Sequence, residues 1–160
     1  MHADRLDELR RTRLDYWSEL VRLMGRRGGL ITFGEVSPGH QLRAKADTFG
    51  SGRFILAALA NVRPESRIGV GVEISGPEEH YAALERDRSI IEREIGCERG
   101  AGERFEWNPE TKVRDVWLYR GADFFDRQRW PEQHEWLREK LEAFRRALKP
   151  RIAELLRGVS

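Results

Sequence analysis

A single cysteine, Cys97, stands in the whole 160-residue chain, which excludes an internal disulfide and a zinc site built from cysteines. No apolar run approaches the roughly 20 residues that a bilayer-spanning helix needs, and the N-terminus is charged from Asp4 onward. Neither a membrane span nor a secretory leader is therefore expected, and the cytoplasm is the expected location. Lysine is scarce, four residues against 25 arginines. The planar arginine fork suits phosphate and carboxylate, although an arginine bias also follows from genome composition. Net charge is only +2, and the 27 acidic residues are interspersed, so the strong basic tract usual in an obligate nucleic-acid module is missing. Internal repeats, linkers and low-complexity segments are missing too, and the chain reads as one domain.

What is present is organised around Trp130 to Leu156. Leu137, Leu141, Phe144, Leu148, Ile152 and Leu155 recur at steps of three or four and form one apolar helical stripe. Pro131 suits a helix start, because its fixed φ is helical and its missing N–H has no partner there. Glu132 and Glu135 near the start and Arg145, Arg146, Lys149 and Arg151 near the end complement the helix dipole. Pro150 removes the hydrogen bond to Arg146, so a kink, or two segments under one stripe, is expected there.

Upstream, Asp4 can cap a helix to about Arg26 with Leu6, Leu9, Trp17, Leu20 and Met24 on one side, ended by Gly25, Gly28 and Gly29. Three strand-like runs follow. Gln41 to Thr48 alternates Leu42, Ala44 and Ala46 with Arg43, Lys45 and Asp47, as a half-exposed strand does. Arg53 to Val62 is apolar on both faces, which predicts a central strand covered on two sides. In Arg67 to Ser75, Gly69 and Gly71 leave room for close approach of a helix or a ligand. A helix from Pro77 to about Gly96, a short strand at Phe105 and Trp107 and another over Lys112 to Arg120 complete the series. The predicted fold is α+β: a mostly antiparallel five-stranded sheet with three helices, in the order helix-strand-strand-strand-helix-strand-strand-helix.

Three regions invite a chemical reading. The helix-strand-strand-strand-helix order resembles a PD-(D/E)xK nuclease core, but only Asp47 and Glu73-Ile74-Ser75 fit, with serine in the lysine position. His40, His80 and His134 have no second histidine or cysteine at ligand spacing, and Gly50-Ser51-Gly52 is neither a nucleophile elbow nor a phosphate loop. No catalytic residue, metal site or cofactor is expected. Trp17, Trp107 and Trp117 fall on apolar faces and read as core. Arg43, Lys45 and Arg53 can form one basic patch, extended by Arg67 if the hairpin registers align, and that patch is the candidate polyanion surface.

Leu14, Tyr16 and Trp17, the Arg67-Ile68-Gly69-Val70 strand, Leu118-Tyr119-Arg120 and above all Trp130-Pro131-Glu132-Gln133-His134-Glu135-Trp136-Leu137 carry a resemblance to domain-of-unknown-function family 4268, a prokaryotic module. Such modules often lie C-terminal to parts that resemble restriction-type endonucleases, which implies a nucleic-acid or defence context. The resemblance carries over no catalytic residue. Within the signature, Trp130, Pro131, His134 and Trp136 are expected to be structural, Trp130 as a hydrophobic staple over the first turn. The expected function is a non-enzymatic accessory module that binds nucleic acid or a nuclease-type partner. The alternative is a self-associating interaction domain, a possible homodimer, and a degenerate metal-dependent nuclease stands third.

Overall fold

The computed structural model describes residues 2–158. Helix α1 (His2–Arg26) buries Tyr16, Trp17, Leu20 and Met24 at helical spacing, whereas its first turns stand in solvent, with Leu6 56% exposed. Backbone bonds from Arg27 to Leu23 and from Gly28 to Gly25 close it, and Gly28 takes the left-handed φ of 68° that glycine tolerates.

Strands β1 (Gln41–Arg43), β2 (Phe54–Asn61), β3 (Arg67–Ile74), β4 (Arg104–Asn108) and β5 (Arg114–Gly121) form one antiparallel sheet in the order β1-β2-β3-β5-β4. The first strand is shorter than the alternation over Gln41 to Thr48 suggests. Lys45 donates its N–H to Thr32, and the Thr48 backbone and hydroxyl both bond back to the Lys45 carbonyl, which winds Ala46–Thr48 into a 3-10 turn. A threonine that bonds its own backbone competes with the ladder, and Ala46 ends exposed instead of beside Leu42 and Ala44.

Four α-helices, not three, lie among the described residues. Helices α2 (Glu78–Arg86) and α3 (Arg88–Ile95) are separated at Asp87, whose φ of −97° and ψ of 17° leave the helical region. Tyr81, Leu84, Ile91 and Ile95 all reach the core, so the apolar stripe stays in phase across the break and conceals it. Helix α4 (Trp130–Arg157) is continuous through Pro150, so the two segments expected there are one. Proline costs about 3 kcal/mol inside a helix. Leu148 and Ile152 on either side are fully buried, worth roughly 3–6 kcal/mol together, so packing outweighs the lost bond.

All four helices pack on one face of the sheet, against Phe54, Leu56, Ala58, Ile68, Val70, Val72, Ile74, Val116 and Leu118. The other face carries a second cluster, Ala57, Leu59, Trp117 and Tyr119, which no helix joins. Strand β2 is thus covered by helices on one side only, not two. On the open side its cover comes from β5: Trp117 and Tyr119 stack nearly parallel, with centroids 5.9 Å apart. Their rings lie over Gly71 and Gly69, where an added Cβ would come within 2.3 Å of Trp117 and 2.7 Å of Tyr119. The close approach that these glycines permit is made by the neighbouring strand's own aromatic rings.

Candidate functional site at the seam of the first and last helices

The signature run forms the first two turns of α4 and locks them to α1. Trp130, 2% exposed, donates from Nε1 to the Phe124 carbonyl at 2.7 Å. Gln133 accepts from the Tyr16 hydroxyl at 2.8 Å and donates to the Asp123 carbonyl at 3.1 Å. Trp136 donates to the buried Glu103 carboxylate at 3.0 Å. Tyr16 meets Trp130 edge-on at 5.1 Å and lies 4.4 Å from the His134 ring, and burial pushes its phenol far above the ordinary range. In this layer His134 is the exception. It is 4% exposed, and its Nε2, closed to solvent, has no partner among the described residues. Burial pushes the imidazole down to about 4, opposed by a backbone hydrogen bond with Tyr16. The ring is neutral near pH 7.

Two clefts open along this seam. The first, about 250 Å³, lies between Glu19, Arg22, Leu23 and Arg26 of α1 and Pro131, His134 and Glu135 of α4. The second, about 240 Å³, lies between Arg27 to Leu30 and Arg138 and Glu142. Glu135 separates them and is paired with both Arg27 and Arg138. Further along α4, Arg151 binds Glu94 at 2.7 Å. Among the described residues, no carboxylate lies within 4 Å of Arg22, Arg26, Arg145, Arg146 or Lys149, whereas most arginines of the sheet are paired.

The residues expected to form a polyanion patch are spread over the open face. Arg43 reaches across β2 to Glu73 at 2.5 Å. Arg67 lies 3.6 Å from Glu106, with its guanidinium 3.7 Å above the Tyr119 ring. Lys45 is exposed beyond the end of β1, and Arg53 sits opposite Ser75. The β2–β3 register sets Arg53 and Arg67 at opposite ends of β3, roughly 26 Å apart at about 3.3 Å per residue. Arg67 therefore does not extend a patch that begins at Arg53. Asp47 lies in the 3-10 turn, accepting from Thr32 at 3.4 Å, and Glu73 is held by Arg43. No three histidine, cysteine, aspartate or glutamate side chains gather closely enough to hold a metal ion among the described residues.

Arg22 and Arg26 escaped notice in the sequence because they flank the apolar stripe of α1 without interrupting it. Their i, i+4 spacing was the available signal. Trp117 was legible as buried, but the alternation of Gly69 and Gly71 was the clue that it lies on the open face.

Among known proteins, the family model described as Domain of unknown function (DUF4268) matches residues 12–152, a span that holds the whole seam from Tyr16 to Lys149. No curated protein and no solved structure matches the chain.

Proposed function

We propose, for a chain that belongs to the family Domain of unknown function (DUF4268), a non-enzymatic accessory role: it binds nucleic acid, alone or together with a nuclease-type partner, in a prokaryotic restriction or defence setting. The observation that carries this reading is the unneutralised triad Arg145, Arg146 and Lys149 on the outer side of α4. The helix dipole does not account for these charges. Its influence fades within the last turn, and α4 continues for two further turns beyond Lys149 to Arg157. Arg145 and Lys149 stand at i, i+4 and Arg146 and Lys149 at i, i+3, where like charges cost a few tenths of a kcal/mol per pair. A polyanion relieves that repulsion. The open sheet face supports the reading less well, because Arg43 and Arg67 already hold carboxylates.

Fluorescence-anisotropy titration of labelled single- and double-stranded DNA and RNA over a range of salt concentrations tests the proposal. Each neutralised phosphate contributes about 0.9 to the salt slope on duplex DNA and about 0.7 on single strands. Replacing Arg145, Arg146 and Lys149 by alanine flattens the slope by about two to three units, and the Arg43, Lys45, Arg53→Ala variant changes it less. Equal slopes in wild type and the α4 variant, or no binding at low salt, would refute the reading. The competing reading is self-association. It rests on exposed apolar residues, Leu6, Leu14 and Phe125, and sedimentation at increasing concentration decides it.

A further inference from the structure

We infer that the cleft between α1 and the first turns of α4 binds an oxyanion of the phosphate-monoester class, held by Arg22 and Arg26. Three independent observations converge there. Arg22 and Arg26 are exposed, lie one helical turn apart on the cleft wall, and have no carboxylate within 4 Å among the described residues. The opposite wall, Pro131, His134 and Glu135, is the beginning of a 28-residue helix, the end that carries about half a positive charge. His134, 4% exposed on that wall, holds the one side-chain nitrogen of the signature's tryptophans, glutamine and histidine that has no hydrogen-bond partner.

Charge selects the class of ligand. Two guanidinium groups and the helix end supply about 2.5 positive charges. Glu19 removes one, and Glu135 is already neutralised by Arg27 and Arg138. The remaining charge of about +1.5 matches a phosphate monoester, which carries about −1.5 to −2 near neutral pH. A carboxylate needs only one arginine fork, and a cleft of about 250 Å³ exceeds its size.

The ligand's source is either free phosphate or the terminal phosphate of an oligonucleotide, and the second source rests on the proposed nucleic-acid reading. Inorganic phosphate is titrated into the ¹⁵N-labelled protein while the Arg22 and Arg26 Nε–H and His134 ring signals are followed. A single-stranded oligonucleotide with a 5′-phosphate is then compared with its 5′-hydroxyl twin by anisotropy. Saturable shifts at these three residues, with phosphate affinity at least tenfold lower in the Arg22→Ala, Arg26→Ala variant, support the inference. Both substituted residues are exposed, so the variant folds, which its melting curve verifies. A 5′-phosphate preference that this variant abolishes and the Arg145, Arg146, Lys149→Ala variant retains identifies the oligonucleotide end as the source. Equal binding of the two oligonucleotides beside saturable phosphate binding identifies free phosphate. Phosphate shifts that are linear, or unchanged in the Arg22→Ala, Arg26→Ala variant, would overturn the inference whatever the salt slope of nucleic-acid binding.

Discussion

Replacing Gly71 by alanine tests how the open face of the sheet is built. The new Cβ would meet Trp117 Cδ2 at 2.3 Å and Cε3 at 2.5 Å, and the Val116 carbonyl oxygen at 2.5 Å. Contacts this short require movement, and one of the atoms belongs to the backbone of the paired strand, so a new rotamer for Trp117 cannot relieve them all. Overpacking of this kind costs about 1–3 kcal/mol. Displacing Trp117, now 3% exposed, forfeits part of the burial of a large aromatic and its stacking on Tyr119, a further roughly 1–2 kcal/mol. Against this stands the gain of about 0.5–1 kcal/mol from removing a glycine in mid-strand. The net expectation is a loss of about 2–4 kcal/mol. At roughly 2–4 °C per kcal/mol for a chain of this size, Tm falls by about 5–15 °C. Urea unfolding followed by tryptophan fluorescence measures the change. In a double-mutant cycle with Trp117→Ala, the two losses should be less than additive, because the smaller side chain removes two of the three contacts. A Gly71→Ala protein as stable as the wild type, or strictly additive losses, would refute the account of the glycine trough.

Other outcomes follow from the seam. Trp136→Ala removes a nearly buried ring and the N–H that it gives to Glu103, and should cost about 3–5 kcal/mol; an unchanged melting temperature would mean that the ring is not packed as described. His134 titrates near 4 when folded, below its unfolded value of about 6.5, so the unfolded chain binds the extra proton between these values. Its contribution is therefore present above pH 6.5 and is lost as pH falls toward 4, by about 3 kcal/mol in all, and the pH dependence of stability should flatten over that range in His134→Gln. Purified protein incubated with supercoiled DNA and magnesium or manganese should leave the DNA intact. Cleavage that Glu73→Ala abolishes would raise the nuclease reading from third place to first.

Periodicity alone determined much of this molecule. The stripe from Leu137 to Ile152 specified a long buried helix, and the alternation in β3 specified which of its residues face the core, because side chains repeat every 3.6 or every two residues whatever lies opposite. Pro131 specified the signature's place at a helix start. Three things were decided elsewhere. Whether Pro150 breaks α4 depends on how deeply Leu148 and Ile152 are buried, a property of the elements they meet and not of the proline. Whether the apolar second side of β2 meets a helix or a neighbouring strand depends on topology: α1, the α2–α3 pair and α4 all cross the same face, which leaves the other to Trp117 and Tyr119. Whether an arginine is free depends on which carboxylate the register brings near it. Arg43 and Arg145 look alike in sequence, but only strand pairing sets Glu73 across from the first, and only the packing of α4 leaves the second without a partner. Local pattern fixes the direction of a side chain, whereas charge compensation is a long-range contact that only the folded chain supplies.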